Sequence, residues 1–293
     1  MKVYICVLIS KKNIKFLNTF LSSLNQLQVT NGYNLQFIFI LESKLSNLKD
    51  LIKRSIKKKF IIISAHNNNI PNSRNIFLKF LRSQNYSYAG FLDDDCFVNS
   101  KWLSNMIKFI ESKNCDIVGG PQKHELKDNY FKDFYEILEP KRIHGQSVRW
   151  VATNNCFFSQ EILKRTSTLF DEDFSNYGGS DQLFFSNFSK KNFSVKWNTT
   201  SYVTEKYQVE RENKLWFFKR NFRYGYSGNK IDNKIYGNIS NVVILSKICL
   251  LFIFALVFLL FPTRKNILRS LFYMFRTYGR IIGLSNYKPK KYI

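Results

Sequence analysis

GFLDDDCFV, residues Gly90–Val98, runs an apolar strand straight into three consecutive carboxylates. Like charges packed side by side repel, and an apolar setting drives each toward its neutral form. An ordinary turn has no need of Asp93, Asp94 and Asp95 together. Hard oxygen donors suit Mg²⁺ or Mn²⁺, and a bound ion relieves the repulsion. Such an ion also bridges the phosphate oxygens of a substrate. A solvated acidic loop is the competing reading, and the surrounding sequence decides between them.

Before this stretch, short apolar runs alternate with helical patterns. Val3–Ile9, Leu35–Leu41, Phe60–Ser64 and Ala89–Leu92 read as strands, and Asp116–Gly119 reads as a fifth. Between them, 14–27, 45–56, Ser73–Ser83 and Ser100–Ser112 have helical spacing. This alternation predicts an α/β fold, a mostly parallel central sheet with helices on both faces. In such sheets ligands sit beyond the carboxyl ends of the strands, where the three Asp lie. The N-terminal MKVYICVLIS has too short an apolar run for a signal peptide and reads as the first buried strand.

The chain has 293 residues, 45% of them hydrophobic, enough for one large domain with an appendage. Its five cysteines are scattered with no CxxC pair, which argues against a disulfide framework or a zinc site and for a reducing compartment. Net charge is +24, so anionic partners are expected: an acidic membrane face or phosphorylated substrates. No zinc-finger spacing, RNP-like aromatic motif or compact basic helix is present, so nucleic acid is not among them. His66, His124 and His144 are scattered and read as surface or loop residues, and the four tryptophans as core or lining.

Residues 1–235 read as one domain, the character changes near Val242, and 236–293 reads as a membrane-associated region. Residues 242–261 are apolar but for Ser246 and Lys247, long enough to span a bilayer. Residues 266–284 form a basic amphipathic pattern with Arg269, Arg276 and Arg280 on one stripe, as expected on an anionic membrane surface. A helix packed into the globular core is the alternative. Residues 263–293 carry eight Lys/Arg and no acid, so a single span would place one basic end outside. A re-entrant or interfacial hairpin avoids this, and the sequence leaves both open.

Four further stretches carry polar groups in suggestive settings. NNNIPNSRN, Asn67–Asn75, sets Arg74 in the first turn of a helix. WVATNNCFFS, Trp150–Ser159, holds Asn154 and Asn155 between apolar runs. FDEDFSNYGGSDQLFF, Phe170–Phe185, places Gly179, Ser180 and Asp181 at a helix start, a favourable position for a carboxylate. ERENKLWFFKRNFRYGYS, Glu210–Ser227, spaces Arg211, Arg220 and Arg223 along an aromatic-rich helix.

In this order, SRN, FLDDD followed by KWL, GGP at Gly119–Pro121, TNN, GGSD, the R…W…R…R.G helix and the late YGRIIGL resemble the family 2 glycosyltransferases. The resemblance runs from about Val3 to the C-terminus and is closest to the bacterial surface-polysaccharide subgroup. It implies a GT-A, Rossmann-like nucleotide-sugar fold and an inverting, Mg²⁺- or Mn²⁺-dependent sugar transfer from a nucleotide-diphosphate donor. The implied acceptor is a lipid-linked or nascent surface glycan, or alternatively polyprenyl phosphate itself. The catalytic domain would sit on the cytoplasmic face of the inner membrane.

The resemblance also implies roles. Asp93 and Asp95 would contact metal, ribose and diphosphate, with Asp94 between them. Arg74, Arg211, Arg220 and Arg223 would contact the donor, and Asp181 would be the general base. Asn154, Asn155, Gly179, Ser180 and Glu205 would line the site. Three departures stand out. The first loop is ISKKN rather than a Tyr- and Arg-containing turn. The second strand ends FILES, with Glu42 where Asp is usual for the nucleotide. Ser180 stands where Glu is more common. A metal-dependent phosphodiesterase would want more His or carboxylate ligands. A non-catalytic basic protein binding membrane or nucleic acid would explain the charge but not the order of the motifs.

Overall fold

The computed structural model describes residues 1–65, 69–139 and 141–285. His66, Asn67, Asn68 and the terminal lysines lie outside the described residues. The chain forms two compact units. The first comprises Met1–Glu125, Arg142–Glu172 and Phe184–Lys206, and the second Leu126–Lys141, Asp173–Leu183 and Tyr207–Ile293. This division differs from a linear one at 235, which falls in the last turn of a helix.

The first unit is an α/β sandwich. Its strands and helices begin β1 (Lys2–Ile9), α1 (Leu17–Asn25), β2 (Asn34–Glu42), α2 (Leu48–Ser55), β3 (Lys59–Ala65), α3 (Ile70–Arg82) and β4 (Tyr88–Asp93). Then come β5 (Cys96–Val98), α4 (Trp102–Ser112), β6 (Ile117–Gly119) and β7 (Gln122–His124). In the second unit follows α5 (Lys132–Leu138). The chain continues with β8 (Asn155–Ser159), α6 (Glu161–Lys164), α7 (Ser180–Lys190), β9 (Val195–Trp197) and β10 (Val203–Glu205).

Seven strands form one sheet in the order β3-β2-β1-β4-β8-β6-β9. β1, β2, β3 and β4 are parallel, and β8 alone runs antiparallel to its neighbours β4 and β6. Alternation along β1 shows why both faces are covered. Val3, Ile5 and Val7 join the core beneath α1, α2 and α4, with Phe20, Ile52 and Trp102. Tyr4 and Cys6 join the opposite core with Phe77 of α3 and Phe184 and Phe188 of α7. A small second sheet, β5-β10-β7, adjoins the end of β4 in sequence.

α3 begins three residues earlier than its apolar pattern predicts. The Asn69 side chain accepts the Asn72 N–H at 3.3 Å and Pro71 sits in the first turn, both start signals. Arg74 therefore falls in the second turn.

The second unit is helical. α8 (Lys214–Tyr236) ends at Gly237, whose φ of 53° is accessible to glycine, and α9 (Ser240–Leu259) and α10 (Arg264–Gly283) follow. Phe134 and Tyr135 of α5, Phe217 of α8 and Leu268 and Phe272 of α10 form its main core.

α10 corrects one expectation. Of its basic stripe, Arg276 and Arg280 do not face outward but pack on α8, and Arg269 lies over Phe258 of α9. Arg276 Nε donates to Asn221 Oδ1 at 2.6 Å. Arg280 Nη1 donates to Asn229 Oδ1 and Asp232 Oδ2, both at 2.8 Å. The acceptors on α8 draw the stripe inward. Small residues permit the approach: a Cβ on Gly225 would stand 2.0 Å from the Arg276 carbonyl oxygen, and one on Gly279 would stand 1.9 Å from that of Phe222.

Candidate active site

The three carboxylates lie where β4 leaves the sheet, but they are not equivalent. Asp93 is the last residue of β4, one step beyond Leu92, and pairs in register with Leu8 of β1. Asp94 is buried. Its carboxylate accepts the Ser10 N–H at 2.7 Å and a second hydrogen bond from Asn13 Nδ2. Burial pushes its pKa up to about 7, the two hydrogen bonds pull against that, and Asp95 and Asp93 add to the rise. Asp94 thus ties the ISKKN loop after β1 to the turn after β4. Both of its oxygens are engaged inside the protein.

Asp95 is buried at the start of β5. Its backbone carbonyl accepts the Lys206 N–H at 3.2 Å, and Cys96 Sγ donates to its Oδ1 at 3.5 Å. Next to it, Glu205 of β10 pairs with Cys96 of β5 and with His124 of β7 in the small sheet. The Glu205 carboxylate lies 2.6 Å from His124 Nδ1. His124 was expected in a loop or at the surface. It instead forms a half-buried pair with Glu205, one residue from the carboxylate cluster. Only the long-range pairing of β10 with β7 brings them together, and neither residue's local sequence signals it.

Arg74 and Asp93 share a neighbourhood. Burial raises the Cys6 thiol pKa well above its ordinary value, while the Arg74 charge lowers it and Asp93 raises it. The Arg74 guanidinium lies over the Phe170 ring at 5.4 Å. Glu42 ends β2 on the same carboxyl edge of the sheet, with β1 between it and Asp93. Two strand spacings separate them, roughly 10 Å.

The two asparagines of TNN divide. Asn154 is half-buried, and its Nδ2 donates to Gln122 Oε1. Asn155 is a core strut. Its Oδ1 accepts from Trp102 Nε1 at 2.8 Å, and its Nδ2 donates to the carbonyls of Ser201 and Pro121 at 2.8 and 3.1 Å. Every polar atom of its side chain is used inside the protein. The glycines of GGP serve the same junction: a Cβ on Gly120 would stand 2.1 Å from the Ser201 carbonyl oxygen.

In the second unit, Gly178 and Gly179 have φ of 72° and 89°, a turn that opens α7. Ser180 is its buried first residue, and Asp181 follows in the first turn, half-buried, accepting the Gln182 N–H at 2.8 Å. Arg211 and Arg220 gather around Trp216, their guanidinium carbons 5.9 and 4.8 Å from its ring. Both also face Tyr135, whose pKa burial pushes up to about 12 against their opposing pull. Arg220 Nε donates to Tyr224 Oη at 2.6 Å. Arg223 lies half-buried one turn further along α8.

The chemistry of Asp93 and Asp95 fits a divalent cation. Among the described residues, no three His, Cys, Asp or Glu side chains converge as a closed cage. An open site of one or two carboxylates is the usual way to hold Mg²⁺ when substrate phosphates complete the shell.

The glycosyl transferase family 2 pattern matches residues 5–176. No curated protein matches the sequence. Among solved structures, residues 1–349 of TarS from S. aureus, in complex with UDP-GlcNAc, superpose with a TM-score of 0.56 at 13% identity, covering 96% of this chain and 91% of that one. The mannosyltransferase PcManGT from Pyrobaculum calidifontis, in complex with GDP-Man and Mn²⁺, superposes with a TM-score of 0.66 at 11% identity, covering 98% and 88%. At such identities the superpositions show a common fold, and it extends over nearly the whole chain. The family pattern spans more than half of the sequence, from β1 through the carboxylate turn to the approach to α7, and the chain therefore belongs to glycosyl transferase family 2 and is a glycosyltransferase.

Proposed function

We propose that this enzyme transfers a sugar from a nucleoside-diphosphate donor to a lipid-linked or nascent surface glycan, with inversion at the anomeric carbon. The observation that carries the reading is the unequal triplet after β4. Asp94 is spent on the first loop, and Asp93 and Asp95 flank it in a fixed turn at the carboxyl edge of the sheet.

In this reading Asp93 and Asp95 hold Mg²⁺ or Mn²⁺ together with the donor diphosphate. When bound, the cation neutralises charge on the departing diphosphate. Glu42 accepts hydrogen bonds from the nucleoside, and Arg74 works from the neighbourhood of Asp93. Arg211, Arg220 and Arg223 contribute positive charge toward the diphosphate. Asp181 takes the proton from the acceptor hydroxyl as its oxygen attacks the anomeric carbon. The bond from that carbon to the diphosphate oxygen breaks on the opposite face. One displacement inverts the centre.

Membrane association is part of the proposal, since the acceptor is lipid-linked and one apolar helix among the described residues has the length of a span. No disulfide joins the five cysteines among the described residues, which fits a cytoplasmic, reducing side. The test is release of nucleoside diphosphate from a panel of nucleotide sugars, with EDTA, Mg²⁺ or Mn²⁺, and with a lipid-linked glycan or polyprenyl phosphate offered separately. One donor should turn over with metal, faster with one acceptor. No metal-dependent release from any donor contradicts the reading.

A further inference from the structure

α9 has the length and composition of a membrane span. Its packing says otherwise. α8 and α10 run parallel, their contacts advancing in step from Phe217–Phe272 through Asn221–Arg276 to Asn229–Arg280. α9 runs antiparallel along them: Phe254 and Phe258 meet Tyr273, and Lys247 Nζ lies 2.6 Å from Asp232 Oδ1. The three helices are one bundle. Carrying α9 through hydrocarbon would carry Asp232, Arg276 and Arg280 with it, and charged side chains at that depth are costly.

α9 is also one-sided in its surroundings, though not in its composition. Ser240, Ile244, Ile248, Leu251, Ala255 and Phe258 form a buried or half-buried inner stripe at helical spacing. Val242, Leu245, Phe252, Phe254, Leu256 and Phe261 are exposed. At 100° per residue the exposed positions from Val242 to Phe261 cover more than half of the circumference and carry no charge. That is why the sequence resembles a span: the inner stripe is apolar because it packs on protein, the outer because it faces something else.

We propose that α9 lies in the plane of a bilayer surface as a monotopic anchor. Its outer face enters the acyl region of one leaflet, and α8, with Lys214, Lys219, Asn233 and Lys234 exposed, stays on the water side. The inference rests on the membrane association proposed above and specifies its mode. A lipid surface fits this face better than a second copy of the chain, because its polar residues Asn241 and Ser246 lie toward one end and the exposed positions from 249 to 261 are all apolar, whereas protein interfaces carry a polar rim. Arg264 and Lys265, at the start of α10, are paired with Asp133 and Glu136, so the anchor relies on the apolar face rather than on charge.

Cys249 provides the test. It is the exposed one of the five cysteines and sits at the middle of α9. A spanning helix would hold it at the bilayer centre, whereas an in-plane helix holds it near the headgroups. The full chain, labelled at Cys249 with an environment-sensitive fluorophore, is mixed with vesicles of phosphatidylcholine and phosphatidylglycerol. The expected result is a blue shift on binding, with stronger quenching by lipid nitroxides near the headgroups than by those near the bilayer centre. Binding with the opposite quenching order overturns the monotopic mode and leaves membrane association standing. Failure to bind these vesicles overturns both, as does a blue shift that follows protein concentration without lipid, which identifies a second copy as the partner.

Discussion

At the scale of single residues, three adjacent Asp perform different tasks, and the difference is measurable. Asp94→Ala strips the acceptors from the Ser10 N–H and Asn13 and should cost about 1–3 kcal/mol of stability, the usual range for orphaned buried groups. Thermal unfolding reads this, and donor affinity of the folded variant should fall less than in Asp95→Asn. Asp181→Asn keeps shape and hydrogen bonding but takes no proton. It should lower the transfer rate by roughly 10²–10⁴ with donor affinity little changed. A rate within a few-fold of the parent, in a folded variant, would reduce Asp181 to a helix-capping residue. The triplet itself was legible in sequence, because three carboxylates after an apolar strand are rare without a purpose. Which of them is structural was not legible, since the partners of Asp94 lie 81 and 84 residues away. The same holds for Asn155 and for the His124–Glu205 pair, whose contacts arise from sheet pairing rather than local pattern.

At the scale of elements, periodicity identified the first four strands of the main sheet well, because β1, β2 and β4 are buried on both faces and the edge strand β3 is a continuous, half-buried apolar run. It missed the antiparallel β8 as a strand, since TNN interrupts its apolar run, and the three-residue strands β7, β9 and β10 are too short to show a period. For α10 it found the stripe but not its direction. An arginine stripe on an amphipathic helix reads as solvent- or lipid-facing until Asn221, Asn229 and Asp232 are seen opposite it. Two late motifs thereby acquire a shared meaning. Gly225 of the R…W…R…R.G helix and Gly279 of YGRIIGL are the positions where α8 and α10 touch backbone to backbone. Gly279→Ala should force the helices apart and cost about 1–3 kcal/mol, the scale of overpacking. Thermal unfolding of the full chain measures it. A melting temperature equal to the parent's would mean that the two helices are free to separate there.

At the scale of the whole molecule, the α/β class and the family were readable from the order of the motifs. The division into units was not. Segments 126–141 and 173–183 join the helical unit though they lie far from it in sequence. Aromatic packing does this: Phe134 lies 4.9 Å from Phe217, ring centre to ring centre, across more than eighty residues of chain. A linear cut before α9 would leave α8 without α10, so truncation at 235 should destabilise the remaining helical unit rather than merely release an anchor. Limited proteolysis of that truncated chain should show early cleavage within α8, which the full chain resists.

The central claim is that Asp93 and Asp95 hold a divalent cation and a nucleoside diphosphate together. Calorimetric titration of the full chain and of Asp95→Asn with UDP and with GDP, each with and without Mn²⁺, tests it most directly. The account predicts Mn²⁺-dependent binding of one nucleotide by the parent chain, lost or greatly weakened in Asp95→Asn. Binding of equal strength without metal, or unchanged in the variant, would contradict it.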